Sequence, residues 1–139
     1  MTSRAWRGAI RARLGDREDL GLAGVIAKYW SFSDLPANDI EALLIEFQIS
    51  YRIPGGVLRP NDPLRAFQEP VPASNPLTDA FYRFWTDESW SDINYELGKR
   101  MHKRGQTRYA EGVIQTIDDL VWAWCGRLGP NGDHLTPAT

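Results

Sequence analysis

The stretch SDLPANDIEALLIEFQISYRIP, residues 33–54, decides the fold. Apolar side chains recur in it every three to four residues and form one stripe: Ile40, Leu43, Leu44, Phe47 and Tyr51. This spacing is typical of a helix that faces a core. Asn38 followed by Glu41 matches a capping box, so the pattern predicts a helix that begins at Asp39. A second stripe predicts that this helix packs on two sides: Ala42, Ile45 and Ile49.

Further helices are predicted on both sides of this one from apolar spacing, N-cap residues and glycine stops. The predicted segments are residues 3–14, 22–29 and 78–84, a helix that starts at Ser89 or Ser91 and stops at Gly105, and residues 117–125 with Thr116 as N-cap. No alternating β pattern and no internal repeat occurs in the sequence. We therefore predict a mostly α fold, a small helical bundle of one domain over residues 1–127, with a disordered tail over 128–139.

A proline-rich connection is predicted between the central helix and the helices that follow. Residues 54–76 hold six of the nine prolines, which excludes a long helix and disfavours a central strand. We expect one helical turn at 63–67, capped by Asn61 or Asp62. Four apolar residues are expected to attach the connection to the core: Val57, Leu58, Leu64 and Phe67.

Composition indicates an ordinary soluble domain. The chain has 139 residues, of which 42% are apolar and 24% charged, and its formal net charge is −2. Nucleic-acid binders usually carry a basic surplus, so no nucleic-acid partner is indicated. The single cysteine, Cys125, excludes an intramolecular disulfide, and no signal peptide or membrane span occurs. We therefore expect a cytoplasmic protein with no membrane partner. The 12% of aromatic residues is expected to serve mainly the core.

No motif in the sequence predicts catalysis or a metal. His102 and His134 are the only histidines and neither has metal-ligand spacing, so we expect no metal site. Cys125 is interpreted as a buried structural cysteine. Asp118 and Asp119 are adjacent on a helix and point in different directions, so they do not form an acid–base pair. We assign no catalytic residue and expect that the protein is not an enzyme.

Cations cluster at two places. Arginines 4, 7, 11 and 13 line one face of the first helix, where a solvated face is the main interpretation and an acidic partner the alternative. The second cluster is a predicted patch at the end of the helix before Gly105: Lys99, Arg100, Lys103, Arg104 and Arg108. Compensation of the helix dipole is its main interpretation, and an anion or partner site is the alternative.

Two short motifs resemble acyl carrier proteins. The central helix ends in Ile53-Pro54, and Thr-Ile-Asp-Asp-Leu-Val at 116–121 opens the last helix, in the order that family shows. The resemblance is closest to a bacterial branch of uncharacterised proteins that share the carrier fold but lack the carrier serine. Alignment on Ile53-Pro54 places Leu35 where the phosphopantetheine-bearing serine belongs, and Ser33 lies two residues away. The resemblance thus implies a helical bundle, extended by an aromatic and basic helical insertion, and no phosphopantetheine cofactor.

Four hypotheses for function follow, the fourth being local nucleic-acid binding through the cations from Lys99 to Arg108. The leading one is a non-catalytic, degenerate carrier-like domain that binds another protein. The first alternative is a working acyl or peptidyl carrier modified on Ser33. The second is an immunity or antitoxin-like inhibitor of a toxin, indicated by small size, mixed charge and aromatic richness.

Overall fold

The computed structural model describes residues 3–105 and 112–127. Within these ranges the chain contains six α-helices, one 3-10 turn at Gly55–Val57 and no strand. The helices are α1 (Ser3–Arg13), α2 (Gly21–Tyr29), α3 (Ala37–Tyr51), α4 (Arg65–Gln68), α5 (Pro76–Lys103) and α6 (Ile117–Trp124). The predicted mostly α class is confirmed. The predicted tail at 128–139 lies outside the described residues.

Helix α3 forms the centre of the core, as its apolar stripe predicts. Helices α2, α5 and α6 and the 3-10 turn all pack against it. Phe47 and Tyr51 contact Phe67 from the connection, with ring centroids 4.9 and 5.1 Å apart. The Tyr51 hydroxyl donates to the Phe67 carbonyl at 2.9 Å in a buried position. The aromatic end of α3 therefore holds the proline-rich connection in place.

The start of α3 differs from the prediction. The helix begins at Ala37, with Pro36 as N-cap and no side-chain cap, so the capping box of Asn38 and Glu41 is wrong. Pro36 has φ −65° and ψ 121°, and its carbonyl accepts from the amide of Ile40 at 3.2 Å. Because proline already holds the geometry of a helix entry, the helix starts without a capping side chain. The second stripe is also only partly packed, since Ile49 is exposed.

The connection after α3 packs on the core through the four predicted residues, all of which are buried: Val57, Leu58, Leu64 and Phe67. The predicted cap of its helical turn is wrong, because α4 has Leu64 as N-cap. Asp62 instead accepts from Arg17 at 2.8 Å and from the Arg59 amide at 2.8 Å. This carboxylate is nearly buried and ties the connection to the segment before α2. Asp62 is thus a structural residue of the connection.

Helix α5 is one helix of 28 residues, where two helices are predicted from the sequence. It starts with Asn75 as N-cap, whose side chain accepts from the amides of Leu77 and Thr78 at 2.9 and 3.2 Å. Ser89 lies inside the helix and donates to the Ser50 carbonyl on α3 at 2.9 Å. Because this hydroxyl bonds to a neighbouring helix, it does not cap a helix start.

Helix α6 begins as predicted. The Thr116 hydroxyl accepts from the Asp119 amide at 3.1 Å, and the Asp119 carboxylate accepts from the Thr116 amide at 3.1 Å. The helix ends at Trp124, and Gly126 follows with φ +76°. Helix α6 contacts both α3 and α5. Helix α5 in turn contacts α3, so the three helices pack against one another.

Candidate protein-binding surface

Ser33 lies in the turn between α2 and α3, three residues before Pro36, which is the N-cap of α3. Its hydroxyl donates to the Trp30 carbonyl at 2.6 Å and accepts from the Leu35 amide at 3.4 Å. Leu35, which occupies the carrier-serine position in the alignment, is buried. The Ser33 hydroxyl is thus engaged within its own turn. Absence of the phosphopantetheine group stays a prediction, and modification of Ser33 stays its alternative.

Two members of the predicted basic patch hold helices together. Arg104 donates to the carbonyls of Ala123 and Trp124 at the end of α6. The Arg100 guanidinium lies 4.4 Å from the centre of the Trp124 ring and 3.4 Å from the Asp39 carboxylate on α3. Cations near the last carbonyls of a helix complement its dipole, and here the helix is α6. Arg104 thus lies at the carbonyl end of α6, a different helix from the one whose dipole the prediction concerned.

The remaining described members of the patch, Lys99 and Lys103, line an open cavity of about 400 Å³ with Arg100, Arg104, Asp39 and Glu96. Lys99 pairs with Glu96 at 2.8 Å. Burial, followed by repulsion from Glu96 and Asp92, raises the pKa of nearby Glu46. Acidic groups therefore accompany the cations. Arg108 lies outside the described residues, and an anion site here stays a prediction.

The described residues show neither a metal-type cluster nor a thiol with a lowered pKa. No group of three or more histidine, cysteine, aspartate or glutamate side chains is arranged to hold a metal ion in the ranges that the structure describes. Cys125 is half-buried, and burial raises its pKa to about 11. Its thiol is thus neutral at physiological pH and a poor nucleophile.

None of the helices in the described ranges combines the length and apolarity needed to cross a membrane.

An apolar patch on the outer face of α5 is the most distinctive surface feature. Leu77, Phe81 and Phe84 follow one another at i, i+4 and i+7, and Ile49 of α3 lies beside the groove that Phe84 lines. Their side chains are exposed by 62%, 42%, 58% and 65% respectively. We call these four residues the apolar patch. Most of the aromatic residues do pack in the core, but this stripe of α5 faces solvent.

The patch continues into a groove between α1, α3 and α5 with a volume of about 360 Å³. Trp85 forms its floor, with ring centroids 5.7 Å from Phe81 and 6.0 Å from Trp6. Trp6 is buried, and its indole N–H donates to Thr86 of α5 at 2.9 Å. Because this hydrogen bond is buried, it fixes α1 against α5 and shapes the groove.

Charged side chains from different elements line the groove. Arg7 of α1 and Arg52 after α3 form what we call its basic edge, and Glu88 and Asp92 of α5 form what we call its acidic edge. Among the described residues, none of these four side chains forms an ion pair with another. The groove thus has an apolar floor, a basic edge and an acidic edge.

Arg52 has an unusual backbone conformation. It follows the last residue of α3 with φ 53° and ψ 40°, and it is the only non-glycine residue with positive φ in the described ranges. Glycine is the usual residue at a left-handed helix end, because a Cβ atom is strained there. Arg52 also lines the groove, so a guanidinium lies there instead of the hydrogen of a glycine.

The arginines of α1 divide into two groups. Arg13 donates to the carbonyls of Ala66, Glu69 and Pro70, so it supports the end of α4. Arg4 and Arg11 share a helical face with Arg7, which lines the groove. Sequence reasoning identified these arginines but not the apolar patch, because an apolar stripe on a helix is normally covered.

Comparisons with protein-family models, curated proteins and solved structures each found no match for this chain.

Proposed function

We propose that the protein is a non-catalytic, protein-binding helical domain that uses the apolar patch as its contact surface. The observation that carries the proposal is the exposure of Leu77, Phe81 and Phe84 along one face of α5. Single exposed apolar residues are common on soluble proteins, whereas contiguous large ones mark interaction sites. We retain the carrier-like bundle as the proposed kinship and the cytoplasm as the proposed location.

The size of the patch supports this proposal. With about 200 Å² for a fully exposed large side chain, the four exposed fractions amount to roughly 450 Å². The largest apolar patch on a typical monomer covers about 300–600 Å² and is often functional. Aromatic side chains are also the residues that most often dominate binding energy. The patch therefore has the area and the composition of the centre of a small protein interface.

Site-specific photo-crosslinking in cells of the source organism tests the proposal. Phe84 is replaced by a photoreactive phenylalanine analogue, and Phe32 is replaced in a matched control chain. Phe32 is 96% exposed, in the turn between α2 and α3, so both probes are accessible. We expect a discrete heavier adduct from position 84 that contains a second protein, identified by mass spectrometry.

The control determines how the result is interpreted. An adduct from position 84 that is absent from position 32 supports binding through the patch. Equal adducts from both positions indicate random collisions and contradict the proposal, as does the absence of any adduct from position 84. Once the partner is known, Phe84→Ser is expected to weaken the purified complex by at least about 30-fold, the effect of a typical hot-spot residue.

The two alternatives remain open to direct tests. A working carrier requires a mass gain of one phosphopantetheine group on Ser33 after incubation with a broad phosphopantetheinyl transferase. A toxin inhibitor would be a special case of protein binding, in which the crosslinked partner is a toxin whose activity the chain suppresses. Suppression that survives Phe84→Ser would assign the inhibitor function to another surface.

A further inference from the structure

We infer that the groove between α1, α3 and α5 binds an amphipathic helix of the partner protein, with an acidic flank on the helix turned toward Arg7 and Arg52. This inference rests on the proposed function and adds the chemistry of the partner segment. It combines the shape of the apolar patch with the distribution of charge around it.

The dimensions favour a single helix as the occupant. The apolar residues of α5 extend over two turns, from Leu77 to Phe84, and the groove continues the same surface past Trp85. An apolar helix face with anchors at i, i+3 or i+4 and i+7 covers a strip of this length. Stable dimers of whole domains bury about 800 Å² per partner, of which about 450 Å² is apolar, an area that this patch reaches. The two-turn strip of anchors matches one helix, and a second copy of this chain is an outcome of the test below.

The charges define the polarity of the partner. The basic edge contains Arg7 and Arg52, and Arg4 and Arg11 lie on the same face of α1 as Arg7. None of these four arginines forms an ion pair within the described parts of the chain. Glu88 and Asp92 of α5 form the acidic edge. A partner helix that carries carboxylates on one flank and cations on the other satisfies both edges, and like charges would be repelled.

An anionic membrane surface suits the groove less well. The arginines of α1 would attract anionic lipid, but Glu88 and Asp92 border the same apolar surface and would repel it. The strained backbone at Arg52 also fits a specific contact, because the position holds a guanidinium where glycine would be less strained. A guanidinium binds a carboxylate through two parallel hydrogen bonds, which fixes orientation as well as charge.

Selection from a displayed library of random peptides tests the inference. The full chain serves as the target, and peptides that also bind the Phe84→Ser variant are removed. We expect the enriched peptides to share an amphipathic helical pattern with aspartate or glutamate along one flank. Fluorescence polarisation of synthetic copies then measures their affinity for wild type, Arg52→Glu and the control Arg65→Glu.

The variants separate the inference from the proposed function. Arg65 is exposed on α4 and does not line the groove, so Arg65→Glu makes the same charge change elsewhere. We expect Arg52→Glu to weaken binding at least tenfold and Arg65→Glu by less than twofold, and a lysine at the peptide's acidic flank should restore binding to Arg52→Glu. Circular dichroism confirms that each variant is folded.

Peptides that need Phe84 but tolerate Arg52→Glu would refute the assigned charge polarity and leave binding by the patch intact. Enriched peptides without an acidic flank, or no enrichment at all, would overturn the inference. Phe84-dependent binding to anionic phospholipid vesicles, or a concentration-dependent dimer abolished by Phe84→Ser, would assign the groove to a membrane or to a second copy instead. Each of those results contradicts a partner helix as occupant.

Discussion

Replacement of Arg52 by glycine is expected to stabilise the protein. The residue has φ 53° and ψ 40°, a left-handed conformation that costs a residue with a Cβ atom about 1–2 kcal/mol. Glycine removes this strain but gains about 0.4–1 kcal/mol of conformational freedom in the unfolded chain. The Arg52 side chain is exposed and forms no ion pair within the described residues, so its loss costs little. The net expectation is a gain of about 0.5–1 kcal/mol in the free energy of unfolding.

Equilibrium unfolding in urea, followed by tryptophan fluorescence, measures this gain. Arg52→Ala is the matched control, because it removes the guanidinium and retains the strained Cβ. We expect the free energy of unfolding of Arg52→Ala to stay within about 0.5 kcal/mol of the wild-type value. The free energy of unfolding of Arg52→Gly should be higher than both. For a domain of this size the gain corresponds to a rise of about 2–4 °C in Tm. If Arg52→Gly is no more stable than Arg52→Ala, the argument that this position carries backbone strain is refuted.

Three further predictions concern the fold and the lone thiol. Tyr51→Phe should destabilise the protein by about 1–2 kcal/mol in urea, because it leaves the buried Phe67 carbonyl without its donor; an unchanged midpoint would contradict that hydrogen bond. Thr116→Ala should cost about 1 kcal/mol through loss of the N-cap of α6, whereas Thr116→Ser should cost less, so equal losses would count against capping. Alkylation of Cys125 by iodoacetamide, followed by intact mass, should accelerate about tenfold per pH unit up to a pKa of about 11; a plateau near pH 8.5 would show an ordinary thiol.

The helices with a clear boundary in the sequence were predicted well. Gly15 and Gly126 have positive φ two residues after the ends of α1 and α6, and Thr116 caps α6 as its sequence pattern indicates. Such features are local, so the sequence contains them. The start of α3 and the continuity of α5 were mispredicted because an N-cap residue type does not by itself place a helix start. Asn38 and Ser89 are good N-cap residues, but a cap forms only if the chain leaves the helix there, and tertiary contacts decide this.

The candidate site could be predicted only in part. The arginines of α1 and the cations of α5 are visible as charges, yet their partners are not. The sequence could not show that Arg104 reaches the end of α6 or that Arg13 supports α4. Apolar spacing likewise reveals a helical face but not whether a neighbour covers it. The general expectation that aromatic residues serve mainly the core therefore did not single out Phe81 and Phe84, which the fold leaves exposed.

The central claim is that a protein segment binds on the apolar patch of α5. NMR titration of the isotope-labelled full chain with a peptide enriched in the selection tests this claim most directly. We predict that the largest chemical-shift changes occur at Ile49, Leu77, Phe81 and Phe84. Changes centred on Lys103 and the cavity that it lines with Lys99, with the apolar patch unaffected, would contradict this claim.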